Sequence, residues 1–346
     1  MNASRNGRFD VGVMFSFRNP AAWRRSFVDV YRDELALAEH AEALGYDTVW
    51  LTEHHFADDG YSPSLVTLAG AIAARTERVR IGFNLLLLPL HDAVRLAEDL
   101  AALDVISGGR IDVGLGQGYA PHEFAGFGID LADRLGRFRE GLDVLQGLWT
   151  EDDFSYAGQH YQVKNARLCP RPVQQPMPPL WIGATSPPAV RRAARRGAHL
   201  LGLANKALQD EYEQARAAAG YAVADAKVLQ LHWTHVAEDD DAAWGEAGAH
   251  FHHLLSVYAG WLNAAAAGGD AAFECKVPPL AALRTSSDLL FKPAFGSPAT
   301  VAGILRESIA AVRTTHLAYG TMPGMDPTRT RRSLKRFIEE VVPALA

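Results

Sequence analysis

The chain has 346 residues, a formal net charge of -6 and 48% hydrophobic residues, enough apolar material for a sizeable core, which excludes a disordered or fibrous chain. Its 40 acidic residues outweigh 34 Lys plus Arg, with no long basic run, so phosphate-dominated binding of nucleic acid is not expected. Two cysteines, Cys169 and Cys275, share no metal-ligand spacing, which excludes a disulfide scaffold, a zinc ribbon and an iron–sulfur protein and suits a reducing cytoplasm.

The polar start, Met1 to Arg8, lacks the pattern of a signal peptide. The most apolar run, Leu85 to Leu90, is broken by Pro89 and falls far short of the roughly 20 residues of a membrane helix. From Val11 onward, short β-type runs alternate with longer helical patterns. The spacing predicts strands at Val11–Phe15, Asp47–Leu51, Val79–Leu88 and Arg110–Leu115. The helices after them are Phe27–Leu44, closed by Gly45; a run built on Leu65, Leu68, Ala69 and Ile72; Ala93–Ile106, stopped by Gly108-Gly109; and Arg134–Leu148. An insertion at about 151–179, with β-like fragments and a proline-rich end, interrupts the rhythm. It resumes with strand Leu180–Ile182, helix Pro187–Arg196, strand His199–Leu203, helix Leu208–Ala219, strand Val228–Val236 and the long helix Asp240–Ala267. A second irregular stretch, about 262–295, precedes helix Pro298–Val312, strand Thr315–Tyr319 and a closing helix Asp326–Val342. Eight strands, nearly all followed by helices, predict an α/β fold: one (β/α)8 TIM barrel domain over residues 1–346 with excursions after strands 4 and 7. A doubly wound open sheet is the architecture that alternation alone leaves open.

In a β/α barrel the working residues lie at the C-terminal ends of the strands and in the loops after them. The second strand ends in Thr52-Glu53-His54-His55-Phe56. Adjacent imidazoles suit general acid–base work, because neutral histidine titrates near physiological pH and accepts a hydrogen bond from a reacting group. Packing of one ring and hydrogen bonding of the other is the plainer alternative. No metal is expected there, since neighbours in an extended segment point to opposite sides. His250, His252 and His253, and His232 with His235, also lack the acidic partners of a ligand set.

The fourth strand ends in Gly114-Leu115-Gly116-Gln117-Gly118-Tyr119, whose glycines would let backbone approach a flat or phosphorylated ligand. Its GxGxG spacing, with Pro121 where a helix should open, argues against a dinucleotide-binding turn. After the fifth strand, Gly183-Ala184-Thr185-Ser186-Pro187-Pro188 combines N–H groups at a helix start, two hydroxyls and an N-cap serine. That set can cradle a phosphate, although an ordinary capped helix accounts for the Ser-Pro pair without a ligand. Arg134 and Arg137 are candidate cationic partners, whereas Arg191, Arg192, Arg195 and Arg196 read as a solvated helix face.

The segments Asp47–Phe56, Arg95–Glu98, Leu103-Asp104, Ser107–Arg110, Gly114–Tyr119, Glu123-Phe124, Phe127-Gly128, Arg134 with Arg137-Phe138, Gly183–Pro187 and Gly296–Pro298 keep one order along the chain. In that combination the sequence resembles the bacterial luciferase-like flavin monooxygenases. The resemblance implies a TIM barrel, a homodimer, and reduced FMN with its ring in the barrel mouth, delivered by a separate flavin reductase. It further implies that reduced FMN and O2 give a flavin C(4a)-peroxide, which inserts one oxygen atom into a small organic substrate and leaves water. His54 then matches the catalytic histidine, with His55 beside it. Asn84-Leu85 falls where such proteins carry a non-proline cis peptide near the flavin ring, and Gln117, Gly118 and Tyr119 lie at the same mouth. Gly183, Ala184, Thr185 and Ser186 match the phosphate loop. Gln117 replaces an arginine of luciferase, which shifts weight to Arg134, Arg137 and the loop. Phe15, Phe17, Phe56 and Tyr119 are expected to build a dry pocket, with Gly268–Pro293 as a lid. Two other readings are a deazaflavin-dependent oxidoreductase that moves a hydride and a non-catalytic flavin-binding partner subunit; Glu53-His54-His55-Phe56 favours FMN and catalysis.

Overall fold

A computed structural model describes residues 9–202, 205–267 and 275–345. Leu203, at the end of the expected sixth strand, and residues 268–274 of the expected lid lie outside them. Among the described residues, eight parallel strands form a closed ring: β1 (Asp10–Phe15), β2 (Thr48–Leu51), β3 (Arg80–Phe83), β4 (Ile111–Gly116), β5 (Leu180–Gly183), β6 (His199–Leu201), β7 (Val228–Val236) and β8 (His316–Gly320). Each pairs with the next, and β8 returns to β1 with Asp10 opposite His316 and Met14 opposite Gly320. The barrel is thus the architecture, and the open sheet is set aside.

Local chemistry punctuates the ring. Helix α1 (Phe27–Leu44) starts at Ser26, whose side chain accepts from the Val28 N–H, and stops at Gly45 in the left-handed region. Helix α3 (Ala93–Ser107) is capped by Asp92 and terminated by Gly108 in the same way.

The strands bury both faces. Val13, Phe15, Val49, Ile81, Val113 and Ile182 point outward into the layer shared with the helices, whereas Met14, Trp50, Trp181, Leu201, Leu229, Trp233 and Ala318 fill the barrel. Large rings inside are accommodated by glycines on neighbouring strands. A Cβ on Gly12 or Gly82 would lie 2.6 or 2.3 Å from Trp50, and one on Gly320 would lie 2.6 Å from Trp233. Trp50 and Trp181 meet edge to face with ring centres 5.5 Å apart. Below them the Trp181 indole donates to Asp112, which also pairs with Arg80. The interior is a packed plug, not a pore.

Four details refine the sequence expectation. The run Val79–Leu88 is not one strand: it breaks at the Asn84–Leu85 peptide, which is cis, as the family resemblance implies, and continues as the short pair Leu86–Leu87 beside β4. The insertion at 151–179 contains an antiparallel hairpin, Phe154–Ala157 with Gln162–Ala166. The second irregular stretch ends in a strand, Ala294–Gly296, paired with the end of β7. Finally, Pro121 does not obstruct a helix but occupies the first turn of one, Pro121–Gly126, where its missing N–H costs nothing.

Candidate active site

The two histidines after β2 are both buried and turn to different carboxylates. His54 Nδ1 lies 2.9 Å from Glu123 Oε1, which also accepts from the His55 backbone N–H at 2.8 Å. His55 Nε2 lies 3.1 Å from Glu53 Oε1, and His91 Nε2 reaches the same oxygen at 2.9 Å. The other oxygen of Glu53 accepts the Leu87 N–H, just beyond the cis peptide. Burial opposes the charge of Glu53, but the His91 charge and the hydrogen bonds of His55 and His91 outweigh it and hold its pKa at about 2. Burial likewise opposes protonation of His91, yet the Glu53 charge raises its pKa above the ordinary histidine value.

Glu123 is fully buried and comes from the short helix Pro121–Gly126. Its Oε1 already accepts the His55 N–H, and a proton on His54 Nδ1 makes the second contact a hydrogen bond to the same acceptor. Nε2 is then the edge left for chemistry, and among the described residues it has no hydrogen-bond partner. Around the His54 ring stand Trp261 at 4.3 Å, Tyr61 at 4.7 Å, Tyr258 at 5.7 Å and Tyr119 at 6.1 Å between centres. Tyr258 and Trp261 belong to the long helix α7 (Asp240–Ala267), which overhangs the mouth. The Tyr61 and Tyr258 hydroxyls are 2.7 Å apart. Burial pushes the Tyr61, Tyr119 and Tyr258 phenols above their ordinary pKa, so they remain protonated donors at neutral pH.

The other expected residues fall as follows. Asn84, Leu85, Gln117, Gly118 and Tyr119 are half-buried at the mouth. The first two glycines of the β4 run serve the protein itself: a Cβ on Gly114 would meet the Phe83 carbonyl oxygen at 1.8 Å, and one on Gly116 would meet Leu85 at 2.3 Å. The expected close approach to a ligand is therefore corrected at these two positions. Gly118 has φ of 71° and keeps its turn because it lacks a side chain. Gly183 is half-buried against Leu85, Ala184 is buried, and Thr185 and Ser186 are exposed. Ser186 stands at the N-cap of helix α5 (Pro187–Arg195), but its side chain makes no capping bond, which corrects the expectation of a serine cap. Arg137 donates to the Pro89 carbonyl at 2.8 Å and lies over the Tyr161 ring; Arg134 donates to the Leu131 carbonyl at 3.0 Å.

Phe15 and Phe17 do not face the mouth. Both are fully buried in the outer core, where Phe17 packs on Tyr31; Phe15 is at an odd position of β1, pointing away from the barrel axis, and Phe17 lies beyond the strand with φ of 54°. Phe56 sits on the rim against Phe127. Among the described residues no cluster of three metal-ligating side chains occurs, and no helix is long and apolar enough to cross a membrane. Sequence reasoning missed Glu53 and Glu123 as histidine partners, and Tyr61, Tyr258 and Trp261 as neighbours of His54. Glu123 was within reach, since proline is favoured in a first helical turn and the residue stands two positions after Pro121.

The sequence profile described as luciferase-like monooxygenase matches residues 9–316. The oxygenase component of a flavin-dependent trigonelline monooxygenase from Acinetobacter baylyi is 24% identical over 335 residues, 92% of this chain and 90% of that protein. An F420-dependent glucose-6-phosphate dehydrogenase from Amycolatopsis mediterranei is 32% identical over 173 residues, 48% of this chain and 51% of that one. The match covers 50% and 64% of the length of two proteins from Sinorhizobium fredii that are named as uncharacterized. Among solved structures, the monooxygenase RslO1 from Streptomyces bottropensis superposes with a TM-score of 0.83 at 26% identity, covering 97% of this chain and 100% of that one.

Proposed function

Since the chain belongs to the luciferase-like monooxygenase family, and relatives of this kind support an oxidoreductase, we propose that it uses reduced FMN and O2 to insert one oxygen atom into a small organic substrate. The observation that carries this reading is the His54 imidazole, fixed through Nδ1 by a buried carboxylate with its other edge in an aromatic chamber at the barrel mouth. When bound, reduced FMN supplies the two electrons with which dioxygen is divided between substrate and water.

The residues present fit that cofactor. Exposed Thr185 and Ser186, with the Ser186 hydroxyl not committed to its own helix, offer donors for a phosphate alongside the Gly183-Ala184 backbone. Asn84, Leu85, Gln117, Gly118 and Tyr119 would border the ring. Arg137 holds the Pro89 turn that follows the cis peptide, and so supports the ring site rather than the phosphate; Arg134 stands at the start of α4 (Arg134–Thr150). His54 Nε2 would hold or pass a proton. The Tyr61–Tyr258 pair donates hydrogen bonds, and the ring-lined walls exclude water. His55 acts through Glu53 to fix the loop. The trigonelline relative is named as an oxygenase component, which supports delivery of reduced flavin by a separate reductase. A homodimer is part of the same reading.

Hydride transfer with a deazaflavin cofactor is the second reading, favoured by the relatives named as F420-dependent. A non-catalytic flavin-binding subunit would have no use for the Glu123–His54 clamp. Anaerobic titration with reduced FMN and with reduced F420, followed by admission of oxygen, tests the choice. The expected result is saturable binding of reduced FMN and His54-dependent oxygen uptake with substrate. Binding of F420 alone, or oxygen incorporation unchanged in His54→Ala, overturns the proposal.

A further inference from the structure

The arginines of α5 are more than a solvated face. Pro188, Arg191, Arg192 and Arg195 recur at helical spacing, and together with Arg196 they face Arg139 and Asp143 of α4 across a groove of about 710 Å³. Five guanidinium groups thus meet one carboxylate in a chain whose formal net charge is -6. Asp143 is taken by Arg196, and Arg191 is paired outside the groove with Glu211. The side chains of Arg139, Arg192 and Arg195 have no hydrogen-bond or ion-pair partner among the described residues. Arg192 Nε is buried with no acceptor. Partial burial and the neighbouring Arg139 and Arg196 charges lower the Arg192 pKa, the sign of a cationic cluster that its own chain does not neutralise.

We propose that this groove, on the outer barrel wall between α4 and α5, binds the diphosphate group of a phosphorylated small molecule. Planar guanidinium forks match phosphate oxygens bidentately, and every cation in the groove is an arginine. Arg192 and Arg195 lie three residues apart, about 4.5 Å along the axis, so two successive phosphoryl groups can each meet an unpaired guanidinium. Arg139 closes the opposite side. A concave groove of this size holds a small ligand, whereas an acidic protein surface would be met by a flatter patch. Neither Thr185 nor Ser186 lines the groove, although Pro188 of the same helix start does, and occupancy of the groove does not depend on the chemistry at His54.

Isothermal titration of the full chain with inorganic pyrophosphate, and separately with ADP, tests this. Saturable binding that weakens with added salt is expected, and the triple variant Arg139→Gln, Arg192→Gln, Arg195→Gln should bind about tenfold or more weakly through loss of charge-assisted bonds. Tighter binding of ADP than of pyrophosphate identifies a nucleotide as the source, and the reverse a free diphosphate; both support the site. Reduced-FMN affinity should stay within about twofold and the thermal midpoint should not fall, because the substitutions relieve like-charge repulsion. Absence of saturable pyrophosphate binding, equal binding by the triple variant, or capture of a glutamate-rich peptide that pyrophosphate does not displace overturns the proposal.

Discussion

Replacing Glu53 by Gln removes the charge that joins His55, His91 and the Leu87 N–H while nearly preserving shape. Held at about 2 instead of 4.5, this fully buried carboxylate contributes on the order of 3 kcal/mol when ionised. The pKa is depressed on folding, so the contribution is complete above the unfolded value near 4.5 and is lost as pH falls toward about 2. His91 has the opposite sign: its pKa is raised on folding from 6.5, so its contribution is complete below that value and fades as pH rises through the folded one. Glu53→Gln should therefore cost most between about pH 5 and 6.5, and the difference from wild type should shrink on both sides. Urea unfolding followed by circular dichroism from pH 3 to 9 measures this. A penalty below about 1 kcal/mol at pH 6, or one that is flat with pH, would refute the ionic account of the cluster.

Glu123→Gln should leave the fold nearly intact but release the His54 tautomer, visible as a change in the imidazole nitrogen shifts, and slow substrate oxygenation by about a hundredfold; unchanged shifts would sink the clamp. Ser186→Ala should cost under about 0.5 kcal/mol because the hydroxyl caps nothing, where a working cap is worth about 1 kcal/mol, yet weaken reduced-FMN binding about tenfold. Equal affinity would remove Ser186 from the phosphate site. Gly114→Ala places a methyl group 1.8 Å from the Phe83 carbonyl oxygen and should destabilise by about 3 kcal/mol or more, read as a lowered thermal midpoint.

The barrel was legible because apolar period changes from two to three or four at each turn, and because Gly45 and Gly108 mark helix ends. His54 was legible from its place at a strand end. The partners of His54 were not. Glu123 lies 69 residues away, behind a proline read as a break rather than a helix start. Tyr258 and Trp261 sit three apart on a helix, a spacing that equally describes a core face. Apolar composition alone reads the third strand as unbroken, because it reports burial and not peptide geometry; the cis bond that splits it was implied only by the family resemblance. Likewise the glycines of β4 look the same in sequence whether a ligand or Leu85 fills the space beside them.

The tryptophans that fill the barrel have an optical consequence. Trp50 and Trp181 are shielded from solvent and in mutual contact, and Trp233 lies close to Tyr258 under the overhanging helix. Their emission is set by the interior rather than by bulk water, so it is a built-in gauge of the mouth. A flat, light-absorbing molecule seated above them would quench that emission by energy transfer, while an anion on the outer wall would leave it almost untouched. The same emission, with no dye attached, would thus tell a ligand in the mouth from one on the outer wall.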